Sequence, residues 1–234
     1  MPAPTMPNSL FDSIPDSIQA FRSGEFLVVL DDPDRENEAD LIIAAQHVTT
    51  DRMAWMIRYS SGYICAPIPP TRADALSLPL MVPSGSQDPR GTAYTISVDA
   101  AHASVTTGIS AQDRARACRV LADPAAGPHD LRRPGHLLPL RAHPGGVRAR
   151  RGHTEAALEL CRLAGLEPAA AICEIVDDGQ EVPGRAVREG AGMMRGEACI
   201  AFARKWGLKV CTIADLVHHV ECVDGKLAPN GDSA

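Results

Sequence analysis

Apolar and polar positions along the chain follow two different periods. "EFLVVLD" (25–31) and "DLIIAAQ" (40–46) are unbroken apolar runs of strand length, rich in Val, Leu and Ile. A run without alternation predicts a strand buried on both faces. "GYICAPI", "HLLPLRA" and "AAAICEIVDD" read as further strands. Helical spacing governs "PDSIQAFRSG", with Pro15 early and Gly24 as its stop, and "TTDRMAWMIRYSSG", which ends near Gly62. "SAQDRARACRVLAD" opens on Ser110 with Asp113 three residues on, a start resembling a capping box. "TEAALELCRLAGLEP" predicts a helix beginning near Glu155 and stopping at Gly165, and 196–220 reads as helix, strand, helix.

Strands and helices interleave without a strict βαβ repeat. That pattern predicts one α+β domain over 1–234, a mixed twisted sheet with helices packed on its faces. The core is expected over about 8–221, with loose N-terminal residues and a loose tail at 224–234. Two Gly- and Pro-containing segments, 79–93 and 178–196, are longer than ordinary turns and read as lids or insertions near a site.

Composition narrows the classes. The chain has 234 residues, 45% hydrophobic, and a net charge of −6, so a substantial core is available and neither nucleic acid nor an anionic membrane is the expected partner. No apolar stretch approaches the length of a membrane-spanning helix. The first residues have neither the basic nor the apolar region of a secretory signal. Seven cysteines lie at least eleven residues apart, with no CxxC pair. This suits free thiols in a reducing, cytoplasmic setting.

The densest chemistry is "DDPDRENEAD" (31–40), six carboxylates in ten residues with Arg35 among them. Such a run is either a solvated turn or a site where carboxylates hold a metal and move protons. Its attachment to core strands at both ends limits how far the charges can spread. In "GGVRARRGHTEAALELC", Gly152, His153 and Thr154 precede the predicted helix, with Arg150 and Arg151 beside them. This is an ordinary cap or a phosphate cradle. Pro134-Gly135 reads as a turn, with His136 opening a strand. Glu174 is an acid in an otherwise apolar strand, which needs a partner unless the strand is an edge. "SVTTGISAQDR" is a hydroxyl-rich turn before a helix.

In this order, the motifs "LDDPDRENEADLI", "SSGYICAPI", "LPLMV", "TTGISAQDRA", "RRPGHLLPLRA", "GGVRARRGHTEAALELCRLAG" and "CEIVDD" resemble 3,4-dihydroxy-2-butanone 4-phosphate synthase of riboflavin biosynthesis, over roughly residues 8–221. The resemblance implies a lyase that converts D-ribulose 5-phosphate to 3,4-dihydroxy-2-butanone 4-phosphate plus formate. It implies a Mg²⁺ cofactor, with Mn²⁺ as a substitute, and a homodimer whose sites draw on both chains. Glu36 and His153 would then be metal ligands. Arg35, Glu38 and Asp40 would line the sugar and handle protons. Arg150, Arg151, Gly152, His153 and Thr154 would hold the phosphate. His136 and Glu174 match positions essential to turnover, and Cys65 and Thr107 match pocket positions. Cys65 is expected to be a thiol open to oxidation, the other six cysteines structural.

Two departures stand out. Arg151 occupies a position where the family usually has Gly, which matters if φ > 0 is needed there. The 178–196 segment is longer than in compact bacterial members. No zinc-binding cysteine set of a fused GTP cyclohydrolase is present, so a monofunctional form is expected. The rival readings are a metal-dependent sugar-phosphate isomerase or aldolase, and a nonenzymatic phosphometabolite-binding relative.

Overall fold

The computed structural model describes residues 10–227. The expected loose N-terminal residues 1–8 and the last seven residues of the expected tail lie outside that range, while Asp224 still belongs to the final helix. In chain order the elements are α1 (Ile14–Arg22), β1 (Leu27–Leu30), β2 (Ala39–Ala44), α2 (Thr50–Arg58), β3 (Cys65–Ile68), α3 (Pro70–Ala75), β4 (Val98–Ala100), α4 (Ala111–Ala122) and β5 (Leu131–Arg141). They continue as α5 (Gly146–Ala149), α6 (His153–Ala164), β6 (Ala170–Glu174), β7 (Val176–Asp177), β8 (Gln180–Glu181), β9 (Arg188–Glu189), β10 (Gly192–Met193), α7 (Glu197–Lys205), β11 (Lys209–Thr212) and α8 (Ile213–Asp224).

Local chemistry fixes the helix starts. Ser13, Thr49, Ser110 and Thr212 each accept the backbone N–H three residues on. Each such cap stabilises its helix by about 1 kcal/mol. Asp113 does not reach back to close the expected capping box. Its carboxylate instead accepts N–H and O–H from Thr106 and N–H from Gly108, so it ties the preceding loop to α4. Gly165 ends α6 in the left-handed region at φ 69°.

The seven-stranded sheet has the order β11-β1-β2-β6-β3-β5-β4. β1 pairs parallel with β11 and β3 with β5, whereas β1–β2, β2–β6, β3–β6 and β4–β5 are antiparallel. The expected mixed α+β sheet is therefore present. Period-two side-chain direction splits the core. Val28, Leu41, Ile43 and Cys173 pack with Met53 and Met56 of α2, Cys118 of α4 and Ala203 of α7. Val29, Ile42 and Ile172 pack on the other face with Phe21 of α1, Ala157 and Leu160 of α6 and Leu216 of α8. Strands covered on both sides explain the unbroken apolar runs of β1 and β2.

Pro134-Gly135 is not a turn. Both residues lie inside the eleven-residue β5, where the β4–β5 register shifts between Val98 and Asp99. Proline donates no N–H to a ladder, so a bulge is where a strand tolerates it.

Candidate active site

The acidic run is the loop of the β1–β2 hairpin, and Asp31 folds it. The buried Asp31 carboxylate accepts from Arg35 Nη1 at 2.9 Å, Glu36 N at 3.0 Å and Glu38 N at 2.9 Å. Asn37 takes φ 54°, which its short polar side chain tolerates. Asp31 is thus a fold-forming carboxylate, and three others, Glu36, Glu38 and Asp40, line one cavity of about 180 Å³.

Asp40, the second residue of β2, lies directly opposite Glu174, the last residue of β6. β6 is the middle strand of the sheet, so the edge explanation for Glu174 does not hold. Ser61 partners Glu174 instead: its Oγ donates to Oε2 at 2.9 Å and its N–H to the Glu174 carbonyl at 2.8 Å. Burial pushes the Asp40 carboxyl well above the usual carboxylate range, and the nearby charges of Glu174, Glu36, Glu38 and Asp31 add to the effect. Glu38 is raised for the same reasons, first burial and then Glu36, with Arg195 opposing. Carboxyls poised toward neutrality suit proton transfer.

Helix α6 starts at His153, two residues before the predicted Glu155, with Gly152 as its cap. A Cβ on Gly152 would lie 2.5 Å from Arg150 Nη1 and 3.0 Å from Glu155 Oε2, so any larger residue there would have to push the Arg150–Glu155 pair aside. The start of α6 brings His153 under the hairpin. Its Nε2 lies 3.1 Å from the Val29 carbonyl, which can only accept, so Nε2 carries the proton. The lone pair on Nδ1 then faces Asp40 Oδ1 at 3.7 Å and Glu36 Oε2 at 3.9 Å. Burial lowers the imidazole below its ordinary range, which keeps it neutral near pH 7.

Arg150 and Thr154 line the cavity. Arg150 already pairs with buried Glu155 at 2.5 Å, and it donates to Thr92 Oγ1 and the Arg90 carbonyl. Arg151 is exposed, outside the cavity and at no positive φ, so the Arg-for-Gly departure carries no backbone strain. Cys65 lines the cavity but is 2% exposed. Burial, then Glu174, Cys173 and Asp40, push its thiol upward, so it is not the oxidation-prone thiolate expected. Cys222 is the exposed cysteine instead.

His136 and Thr107 lie outside this cavity. His136 is four residues along β5 from Leu140, a cavity residue, and so about 13 Å away at strand spacing. It sits against Asp99 and the 106–108 loop. Asp88, Arg90, Thr92 and Tyr94 also line the cavity, and motif reading missed them. The signal for Asp88, Arg90 and Thr92 was the over-long 79–93 segment, and Tyr94 directly follows it. Arg90 donates to the Arg35 carbonyl and lies 3.7 Å from Glu36 Oε1, which closes the loop onto the acidic hairpin. From the other long segment, Arg195 approaches Glu38 at 3.9 Å.

The family model for 3,4-dihydroxy-2-butanone 4-phosphate synthase matches residues 15–219. The chain belongs to that family. It is 68% identical to the enzyme of that name from Pyricularia oryzae over 97% of both chains, and 45% identical to that from Saccharomyces cerevisiae over 91% of this chain and 100% of the relative. It is 50% identical to the riboflavin biosynthesis protein RibBA of Salinispora arenicola, but spans only 46% of that longer protein. A solved structure of 3,4-dihydroxy-2-butanone 4-phosphate synthase with two magnesium ions superposes with TM-score 0.91 at 70% identity, over 93% of this chain and all of the other. A cation-free form superposes with TM-score 0.88 at 68% identity.

Among the described residues no three His, Cys, Asp or Glu side chains form a closed metal site. The Glu36–His153 pair still fits a catalytic Mg²⁺. One carboxylate and one bare imidazole nitrogen meet at an opening, and Mg²⁺ keeps several waters rather than requiring a full protein cage. Among the described residues no helix is long and apolar enough to cross a membrane.

Proposed function

We propose that this protein converts D-ribulose 5-phosphate to 3,4-dihydroxy-2-butanone 4-phosphate and formate, with Mg²⁺ held by Glu36 and His153. The observation that carries this reading is the gathering of Asp40, Glu174 and Glu38 beside the Nδ1 lone pair of His153. When bound, Mg²⁺ supplies a Lewis acid that stabilises negative charge on adjacent sugar oxygens.

The protein's own groups do the rest. Asp40 and Glu38, raised by burial and mutual repulsion, take and return protons at the sugar carbons and hydroxyls. Glu174, held by Ser61, faces the same space. Thr154 and the start of α6 receive the phosphate, since a helix N-terminus favours anions. Arg150, matched by Glu155, orients that corner more than it adds charge. Cys65 contributes a neutral thiol to the wall.

His136 and Thr107 enter through assembly. Their place outside the cavity of their own chain supports a homodimer in which they complete the partner's site. The absence of paired cysteines among the described residues supports a cytoplasmic setting. The test is to incubate purified protein with ribulose 5-phosphate and Mg²⁺ and assay formate. Formate that appears with Mg²⁺ and vanishes with chelator supports the reading. Turnover to an isomeric sugar phosphate without formate rejects it.

A further inference from the structure

The turn that leads from α2 to β3 is tied down more firmly than a surface connection requires. Ser60 Oγ donates to the Met56 carbonyl at 2.5 Å and accepts the Gly62 N–H at 3.2 Å. Gly62 takes φ 74°, and its carbonyl accepts Arg114 Nη1 at 2.9 Å. Arg114 of α4 is 7% exposed, and its Nε has no partner among the described residues. A buried guanidinium is costly unless hydrogen-bonded, and this one is directed at the turn.

Between these anchors stands Ser61. Its backbone N–H donates to the Glu174 carbonyl at 2.8 Å and its hydroxyl to Glu174 Oε2 at 2.9 Å. The same Oγ accepts the Tyr63 N–H at 3.2 Å and lies 3.1 Å from Cys173 Sγ. Burial pushes the Cys173 thiol up to about 11, so it keeps its proton. A carboxylate can only accept, so the one hydroxyl proton of Ser61 goes to Glu174 and the thiol donates to Oγ. Among the described residues, no group donates a hydrogen bond to Glu174 Oε1. Ser61 lies outside the cavity that Glu174 lines.

We propose that Ser61 is the positioning residue of Glu174: its hydroxyl holds Oε2 against the 60–62 turn, which fixes the rotation of the carboxylate and leaves Oε1 as the oxygen offered to bound substrate. The inference rests on the reading of Glu174 given above. Ser61 itself touches no substrate. Asp40 faces Glu174 across the strands, and like-charge repulsion turns an untethered carboxylate away. The Ser61 hydroxyl opposes that rotation, and a hydrogen bond to an ionised group is strong enough to do so. A merely structural Ser61 would hold the end of β6 through its backbone N–H and leave the carboxylate free to turn.

Ser61→Ala separates the two roles, because it keeps the backbone bond to the Glu174 carbonyl and removes only the hydroxyl. With ribulose 5-phosphate and Mg²⁺, kcat should fall on the order of 10- to 100-fold, with KM within about threefold and the melting temperature nearly unchanged. Ser61→Thr restores a hydroxyl and should recover most of kcat. Glu174→Gln sets the reference, and Ser61→Ala on that background should cost little further, because residues acting as one unit are non-additive. Infrared difference spectra of the resting protein, with the Glu174 carboxylate band identified by its loss in Glu174→Gln, should show that band shifted in Ser61→Ala. That measurement needs no turnover, so it decides the inference even where the proposed reaction fails. An unshifted band, full kcat in Ser61→Ala, or a loss in Ser61→Thr equal to that in Ser61→Ala overturns the inference and leaves the Glu174 reading intact. Full kcat in Glu174→Gln overturns both.

Discussion

Asp40 and Glu174 face each other across adjacent antiparallel strands, and among the described residues the nearest basic group to the Asp40 carboxylate is His153 Nδ1 at 3.7 Å. Directly opposed like charges on a sheet are destabilising. The fold carries this pair in the wall of a cavity, beside an imidazole whose free nitrogen points at Asp40. An arrangement that costs stability and gathers proton-transfer groups is what an active site is expected to look like.

Asp40→Asn should therefore keep the fold and lose the chemistry. In chelator, its melting temperature should match or exceed wild type, since one unit of buried repulsion, on the order of 1 kcal/mol, is removed. Formate release should fall at least 100-fold. A melting temperature well below wild type would show that the carboxylate is a structural hydrogen-bond hub.

Glu36→Gln and His153→Ala should each abolish formate release and weaken Mg²⁺ binding. Titration calorimetry with Mg²⁺ and without substrate is the readout independent of turnover. Circular dichroism should stay native, because two protein ligands do not make the ion a fold-determining staple. Unchanged Mg²⁺ affinity in both variants would remove this pair as the metal site.

Iodoacetamide should label Cys222 rapidly and Cys65 slowly. Cys222 is exposed, whereas Cys65 is buried with its thiol pushed upward by burial and neighbouring carboxylates. Mass spectrometry of a time course decides it. Labelling of Cys65 ahead of Cys222 would mean that the cavity wall opens.

Arg151→Gly should change stability by no more than about 0.5 kcal/mol and leave kcat near wild type, as expected for an exposed side chain free of special backbone geometry. A kcat change above about threefold would place Arg151 in the phosphate site after all.

Asp12 predicts a pH effect on stability. Burial works against its charge, yet the Val210 N–H, Arg204 and Lys209 outweigh it, and its pKa falls below the usual carboxylate value. A depressed carboxyl contributes stability above the unfolded pKa of about 3.9 and loses it as pH falls through the lower folded value. Urea denaturation at pH 7 should show Asp12→Ala about 2 kcal/mol less stable. The gap should close below about pH 4. A gap that persists undiminished at low pH would assign the effect to packing.

Much of the fold was legible because local physics wrote it. Caps at Ser13, Thr49, Ser110 and Thr212 mark helix starts, Gly165 marks a stop, and unbroken apolar runs mark strands covered on both faces. Glu36, Glu38, Asp40, Cys65, His153, Thr154 and Glu174 were readable as candidates, and all line one cavity.

Other features needed the third dimension. Pro134-Gly135 carries turn chemistry, but the register slip against β4 holds it in a strand. Asp31 is chemically like its neighbours, and only the loop's own amides make it structural. Arg90 has no local signature, because its role comes from a contact 55 residues away. Sequence determines which groups are present and which short segments order themselves, since caps, turns and periodicity act over a few residues. Which carboxylate faces another, which imidazole nitrogen is free and which arginine is already paired depend on strand register and close approach of distant segments. Only the folded sheet decides those.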